Sequence, residues 1–448
     1  MTAVTAEALP TWRRADLSWD LLLLCVAGSI LTAVGRVHLL FPFLEPLRPA
    51  LVFGGLGLAF YLVDAAPARR LRALTTHPTT WALLGLLAWV ALSVPTALRQ
   101  YTAYMFLIDD FAKTVILYAL IVGGVRGLRD VERLSWIYFV AAGLYAAVVL
   151  TRFTVGGESW RLQSLYTYDP NDFAVFAVTA MPLGLVAVTT ARAPSVRILA
   201  LLGLGALSVA FVWAGSRGGF LALLFTGGYL LARYRAIPLR ARLLGTAVVA
   251  VVVLAVAGPK FWDQMQTVQR PEQDYNLTSP TGRIEVWKRG IGYMVRHPVL
   301  GVGAANYEAA EGVLSPLAHR AEYGKGVKWS AAHNSFLQVG AELGVPGLVV
   351  FLTFLTLAFR ELRHAEEGAV SGPEDVLGPR LAQALRASLL GFLVGAFFLS
   401  LAYAEMLYIL IALAVALRKV TGPSRSRASR ARAIRDLPGR PAGAWAVG

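Results

Sequence analysis

Phe173–Thr190 reads FAVFAVTAMPLGLVAVTT, a run without one charged side chain, and it decides what kind of protein this is. A run of that length approaches the roughly 20 apolar residues that a helix needs to cross the ~30 Å hydrocarbon core of a bilayer. Its apolar residues are continuous and do not alternate, so it predicts a helix and not a strand of a membrane barrel. Similar runs recur in both directions, near Trp19–Val34, Pro46–Val63, Trp81–Leu98, Tyr104–Val125, Leu134–Leu150, Ile198–Gly215, Gly219–Ala232, Leu243–Gly258 and Phe336–Phe359. A last stretch, Leu385–Leu417, would be about 50 Å long as one helix, too long for a single crossing. It is expected to break near Ser400–Glu405.

The expected fold is all-α: a polytopic helical membrane protein with about twelve crossings and one large outward loop containing short helices. Composition agrees, with 56% hydrophobic and 15% charged residues in 448 excluding a soluble core protein. Residues 1–258 would form an N-terminal bundle of about nine spans, 259–332 the polar loop region, 333–420 the C-terminal spans and 421–448 a disordered basic tail. Arg13/Arg14, Arg69/Arg70/Arg72, Arg126/Arg129/Arg133, Arg192/Arg197, Arg233/Arg235/Arg240/Arg242 and Arg360/Arg363/Arg380 fall in alternate connections, as does the tail. Connections rich in Arg and Lys stay cytoplasmic, so both termini would be cytoplasmic and Pro259–Ala332 would face outward. The net charge of +15 then expresses topology and implies no nucleic-acid partner, while the basic tail is expected to be attracted to anionic membrane lipids. The first span lacks a small-residue cleavage site and reads as an uncleaved helix. Cys25, inside it, excludes an intrachain disulfide or a thiolate metal cluster.

Polar clusters gather at the outward boundary. Trp160-Arg161-Leu162 precedes Tyr168-Asp169-Pro170-Asn171-Asp172-Phe173, where Asn171 or Asp172 is placed to cap the next span. Gly215-Ser216-Arg217-Gly218-Gly219 joins two spans with almost no loop, so Arg217 must snorkel to water or face a polar cavity. Ser279-Pro280 opens a segment in which Ile284, Trp287, Ile291 and Met294 recur at helical spacing. That pattern predicts an amphipathic helix on the membrane surface, with Arg283 in its first turn and Lys288, Arg289 and Arg296 on its solvated side. His333-Asn334 is followed by Gln338 and Glu342 on one helical face, which should point into protein. Asp109 and Lys113, four apart, are placed to pair across one turn; a relay role for them would suit a transporter. Histidines 38, 77, 297, 319 and 364 are scattered, and no HExxH or Asp-x-Asp pattern appears, so no metal cage is expected. Arginines, permanently charged and able to fork onto phosphate oxygens, are the alternative to a metal wherever a phosphate leaves.

Arg161 with Asp169-Pro170-Asn171-Asp172-Phe173-Ala174, Ser216-Arg217-Gly218, Gly282-Arg283 with His297-Pro298-Val299-Leu300-Gly301-Val302-Gly303, and His333-Asn334-Ser335-Phe336-Leu337-Gln338 with Glu342-Leu343-Gly344 together resemble the O-antigen ligase and O-antigen polymerase superfamily. The likeness runs from about Arg161 to Phe351, and the histidine block is its most specific part. It implies an inverting membrane glycosyltransferase of the bacterial inner membrane that needs no cofactor or divalent metal. Such an enzyme takes glycan from undecaprenyl pyrophosphate on the periplasmic side and passes it to a hydroxyl of lipid A–core or of another glycan. Carried over by position, His333 matches the essential histidine, and Arg217, Arg283 and, less closely, Arg161 match pyrophosphate-binding arginines, with Asn334, Asn171, Asp172 and Gln338 in support. A ligase is the first expectation, a polymerase of the same superfamily the second, and a lipid-linked glycan flippase the rival from another class.

Overall fold

The computed structural model describes residues 19–63, 67–152, 161–162, 168–235, 237–267, 270, 272, 274, 279, 282–318, 321–322, 325–326, 330–368 and 376–422. Arg13, Arg14, Trp160, Pro280, His319 and the tail beyond 422 lie outside them. The described chain is helical apart from a two-residue strand pair, Ala321–Glu322 with Lys325–Gly326. In order come α1 (Leu21–Ala33), α2 (Val37–Leu40), α3 (Pro49–Val63), α4 (Pro67–Thr75), α5 (Pro78–Ser93), α6 (Gln100–Met105) and, after a π-helical turn at Phe106–Phe111, α7 (Ala112–Gly124). Then follow α8 (Leu128–Arg152), α9 (Pro170–Thr190), α10 (Pro194–Ala214), α11 (Arg217–Arg233) and α12 (Leu239–Val256). Among the described residues of the polar region stand three short helices: α13 (Pro259–Gln266), α14 (Arg283–Arg296) and α15 (Tyr307–Val313). The chain closes with α16 (Ser335–Gly368), α17 (Leu377–Ala396) and α18 (Glu405–Thr421). Among the described residues six helical segments are long and apolar enough to cross a bilayer, and the protein is a multi-pass helical membrane protein. The long C-terminal stretch breaks between Ala396 and Glu405, leaving two helices of bilayer dimensions.

Helices of similar apolar character fare differently. Every residue of α18 from Met406 to Leu417 is buried, whereas among its described residues α12 buries none and α3 buries only Gly57 and Tyr61. A helix apolar all round suits either a core or lipid, so α18 lies at the centre and α3 and α12 at the rim. Small residues let the inner helices close up, as membrane packing requires: a Cβ on Gly395 of α17 would fall 2.3 Å from Val175 of α9.

The basic residues knit one end of the bundle together. Arg126 bonds Asp20 ahead of α1 and Asp130 in α8, and Arg380 of α17 donates to Thr189 O at the end of α9. Arg386 of α17 pairs with Glu366 of α16, while Lys419 of α18 donates to Val122 O and Val125 O at the end of α7. Each cation meets a carboxylate or the free carbonyls of a helix C-terminus, where both charge and unmet hydrogen bonds favour it. The helix ends that hold Arg161, Arg217 and His333 are the opposite ones.

Candidate active site

His333 stands where the chain enters α16. Asn334 Oδ1 accepts the N–H groups of Phe336 and Leu337, each at 3.0 Å, and so caps the helix. Before it, His333 turns through the left-handed region with φ 47°, a conformation that costs a non-glycine residue about 1–3 kcal/mol and persists only where neighbours enforce it. The segment between α17 and α18 enforces it. The N–H of His333 donates to Ser400 Oγ at 2.9 Å, Ser335 Oγ donates to Leu399 O at 2.7 Å, and the N–H of Leu401 donates back to Ser335 Oγ at 2.8 Å.

The start of α11, which carries Arg217, meets the same segment from another side. Gly215 ends α10 with φ 57° and Ser216 caps α11, its Oγ accepting from the N–H of Gly219 at 3.1 Å. Arg217 is therefore the first residue of α11, and its Nη1 donates to Thr267 Oγ1 at 2.7 Å and to Asp274 Oδ2. A Cβ on Gly218 would lie 3.1 Å from Phe398 Cβ, so the start of α11 sits directly against the segment that clasps His333.

Arg283 opens α14 behind Gly282. One turn on, Trp287 donates Nε1–H to Ala332 O at 3.0 Å, and its ring meets Phe397 edge-on at 5.7 Å between centroids. The helix carrying Arg283 thus crosses the residue before His333 and abuts the same Phe397–Ser400 wall. Arg161 is set further back. Its Nε–H donates to Ala214 O at 2.6 Å and its Nη2 to Asn171 Oδ1 at 2.7 Å, beside the turn that leads to Arg217.

Several expectations change. The cap of α9 is Asp169 and neither Asn171 nor Asp172: Asp169 Oδ1 accepts the N–H of Asn171 at 2.8 Å, because Pro170 occupies the first helical position and moves the start back. Asp172 lies half-buried in that first turn. Gln338 follows Asn334 by one turn, its N–H donating to Asn334 O at 2.8 Å. Lys288 and Arg296 are exposed as expected, but Arg289 is not on the solvated side. Its Nε donates to Glu311 Oε1 at 2.9 Å and its Nη2 to Oε2 at 2.6 Å, while Tyr293 Oη donates to Glu311 Oε1 at 2.6 Å. Hydrogen bonding to Glu311 raises the pKa of Arg289 further above its ordinary value. The reason is that α14 buries Val286, Gly290 and Tyr293 against α15 and α16, leaving Ile291 half exposed.

The rest of the resemblance motif forms a backbone joint. The N–H of Val302 donates to Ala341 O and that of Gly303 to Glu342 O, each at 2.9 Å, and Val345 N–H donates to Pro298 O at 2.8 Å. Gly301 has φ 66°, and a Cβ there would stand 2.3 Å from the Glu342 carbonyl carbon. The His297–Gly303 and Glu342–Gly344 blocks are two halves of one contact. Asp109 and Lys113 do pair, at 3.0 Å, with side chains 47% and 62% exposed. Among the described residues no group of three or more His, Cys, Asp or Glu could hold a metal ion.

Residues 199–352 match the O-antigen ligase family model. The match places this stretch, from α10 into α16, in the O-antigen ligase and polymerase superfamily, whose members are glycosyltransferase-type enzymes acting on lipid-linked glycans and their acceptors. It takes in Arg217, Arg283 and His333 and stops short of Arg161, Asn171 and Asp172 on the N-terminal side. No curated protein matches the chain. The ligase-like stretch also omits Phe397–Ser400, the segment against which its arginine and histidine elements pack. No local signal marks those residues, since only chain far apart in sequence gives them their role.

Proposed function

We propose that this protein is an inverting, metal-independent glycosyltransferase that moves a glycan from undecaprenyl pyrophosphate to a hydroxyl acceptor, with lipid A–core favoured. In this reading it crosses the inner membrane about twelve times, with both termini cytoplasmic and the site periplasmic. His333 orients or deprotonates the acceptor hydroxyl as it attacks the anomeric carbon on the face opposite the pyrophosphate. Arg217 and Arg283 stabilise the charge that grows on the departing diphosphate, with Arg161 behind them.

The observation that carries this reading is the convergence of three elements on one wall: the start of α11, the start of α14 and the entry to α16 all pack on Phe397–Ser400. They also lie away from the basic end of the bundle, as an outward site requires. Purified protein given undecaprenyl-pyrophosphate glycan and lipid A–core should form the transferred product. His333→Ala should lower turnover by about 10²–10⁴-fold, the usual worth of general-base help. A His333→Ala protein working at near-normal rate, or a wild type that only carries the donor across vesicles, would defeat the proposal.

A further inference from the structure

Two buried carboxylates join the helix of Arg283 to the helix that follows His333, and the proposed reaction uses neither. Glu311, on α15, takes a forked bond from Arg289 and a hydroxyl bond from Tyr293, both on α14. Glu342, on α16 and 1% exposed, accepts the N–H of Tyr307 at Oε1 and that of Ala305 at Oε2, each at 3.1 Å. Tyr307 is the first residue of α15, so the carboxylates act in series: α14 is held to Glu311, α15 carries that grip to Tyr307, and Glu342 fixes Tyr307 to α16. The arrangement is tight at each step. Tyr307 Oη donates to Val286 O at 2.8 Å, a Cβ on Gly290 would lie 2.6 Å from Tyr307 Oη, and Ala305 is held at φ 54°.

We infer that Glu342 and Glu311 are positioning residues that set where Arg283 stands relative to His333, an inference that rests on the function proposed above. α14 donates one hydrogen bond to the His333 turn, that of Trp287 to Ala332 O, lies directly on α16 at Gly290 against Leu337 and at Met294 against Gly340, and runs on into the backbone joint at Pro298–Gly303. The two carboxylates add to that packing the directional polar ties that apolar contact does not supply. Glutamate is required at 342 because both of its oxygens accept, whereas glutamine offers one acceptor and turns a donor toward the other N–H.

The test combines kinetics with a distance. Donor kcat and KM are measured for wild type, Glu342→Gln, Glu342→Ala, Glu311→Gln and the double variant Glu311→Gln/Glu342→Ala. Spin labels at Lys288→Cys on α14 and Val349→Cys on α16, both exposed positions, report the separation of the two helices; Cys25 is buried and stays unlabelled. Because a misplacement of about 1 Å can cost about 100-fold in rate, kcat should fall about 10-fold in Glu342→Gln and about 100-fold in Glu342→Ala, outweighing any rise in donor KM. The label distance should broaden in step. Links in series fail together, so the double variant should be no slower than Glu342→Ala. If the wild type transfers glycan while Glu342→Ala keeps its kcat, keeps its label distance or adds fully to Glu311→Gln, the positioning inference is wrong. A wild type that transfers nothing, with label distances that still respond, defeats the functional reading instead.

Discussion

Replacing Arg289 with methionine tests whether the outward helices are held by charge or by apolar contact alone. The substitution strands Glu311, whose side chain is 5% exposed and which still accepts from the Tyr293 hydroxyl at 2.6 Å. Removing one partner of a buried ion pair costs about 3–5 kcal/mol, because the other charge stays behind without compensation. The low end applies, since Tyr293 still donates and the arginine side chain, at 13% exposure, leaves a path for water. The penalty falls on α14 and α15 and not on the whole bundle, so it should appear as local opening. A cost of about 3 kcal/mol corresponds to about 150-fold faster amide exchange in those helices. Hydrogen exchange read by mass spectrometry on the purified protein, with α18 as an internal standard, supplies the measurement. Adding Glu311→Gln removes the stranded charge and should restore part of the protection, leaving about 1 kcal/mol for each of the two lost Arg289 hydrogen bonds. Unchanged exchange in Arg289→Met, or a double variant opening faster than the single one, would show that apolar contact alone holds these helices.

Other expectations follow from single contacts. Gly301→Ala should cost at least about 1–2 kcal/mol from its left-handed backbone and more from the clash with Glu342 carbonyl carbon 2.3 Å away; a wild-type melting temperature in detergent would contradict the joint described here. Asn334→Ala removes the cap of α16 and should destabilise by about 1 kcal/mol, with Asn334→Asp close to wild type in the same thermal scan. Burial lowers the pKa of His38 below its ordinary value, with Glu45 opposing and Arg36 adding to the shift. A lowered folded-state value means that the unfolded chain takes up the proton first. This contribution is therefore complete above the ordinary imidazole value of 6.5 and is lost as pH falls through the depressed one. His38→Gln should flatten stability against pH over that window, and an unaltered slope would show that another group is responsible.

Much of this molecule can be read along the chain, and the reason is locality. A bilayer demands that a helix satisfy its backbone internally over a fixed length, so apolar runs such as Phe173–Thr190 and the break in Leu385–Leu417 are visible one residue after another. The Asp109–Lys113 pair and the helix entry at His333-Asn334 are equally short-range, spanning a turn or less. Which run forms the core is a different matter. α18 and α12 are both apolar all round, and only the neighbours that each acquires separate a buried helix from one facing lipid. The candidate site divides in the same way: Arg217 and His333 stand out as costly polar groups at span ends and Arg283 as the opening of an amphipathic helix, but the Phe397–Ser400 wall, the Glu311 grip on Arg289 and the seat of Glu342 on Tyr307 join residues 22 to more than 60 positions apart. Side chains so separated leave no periodic trace, and folding alone decides that they meet.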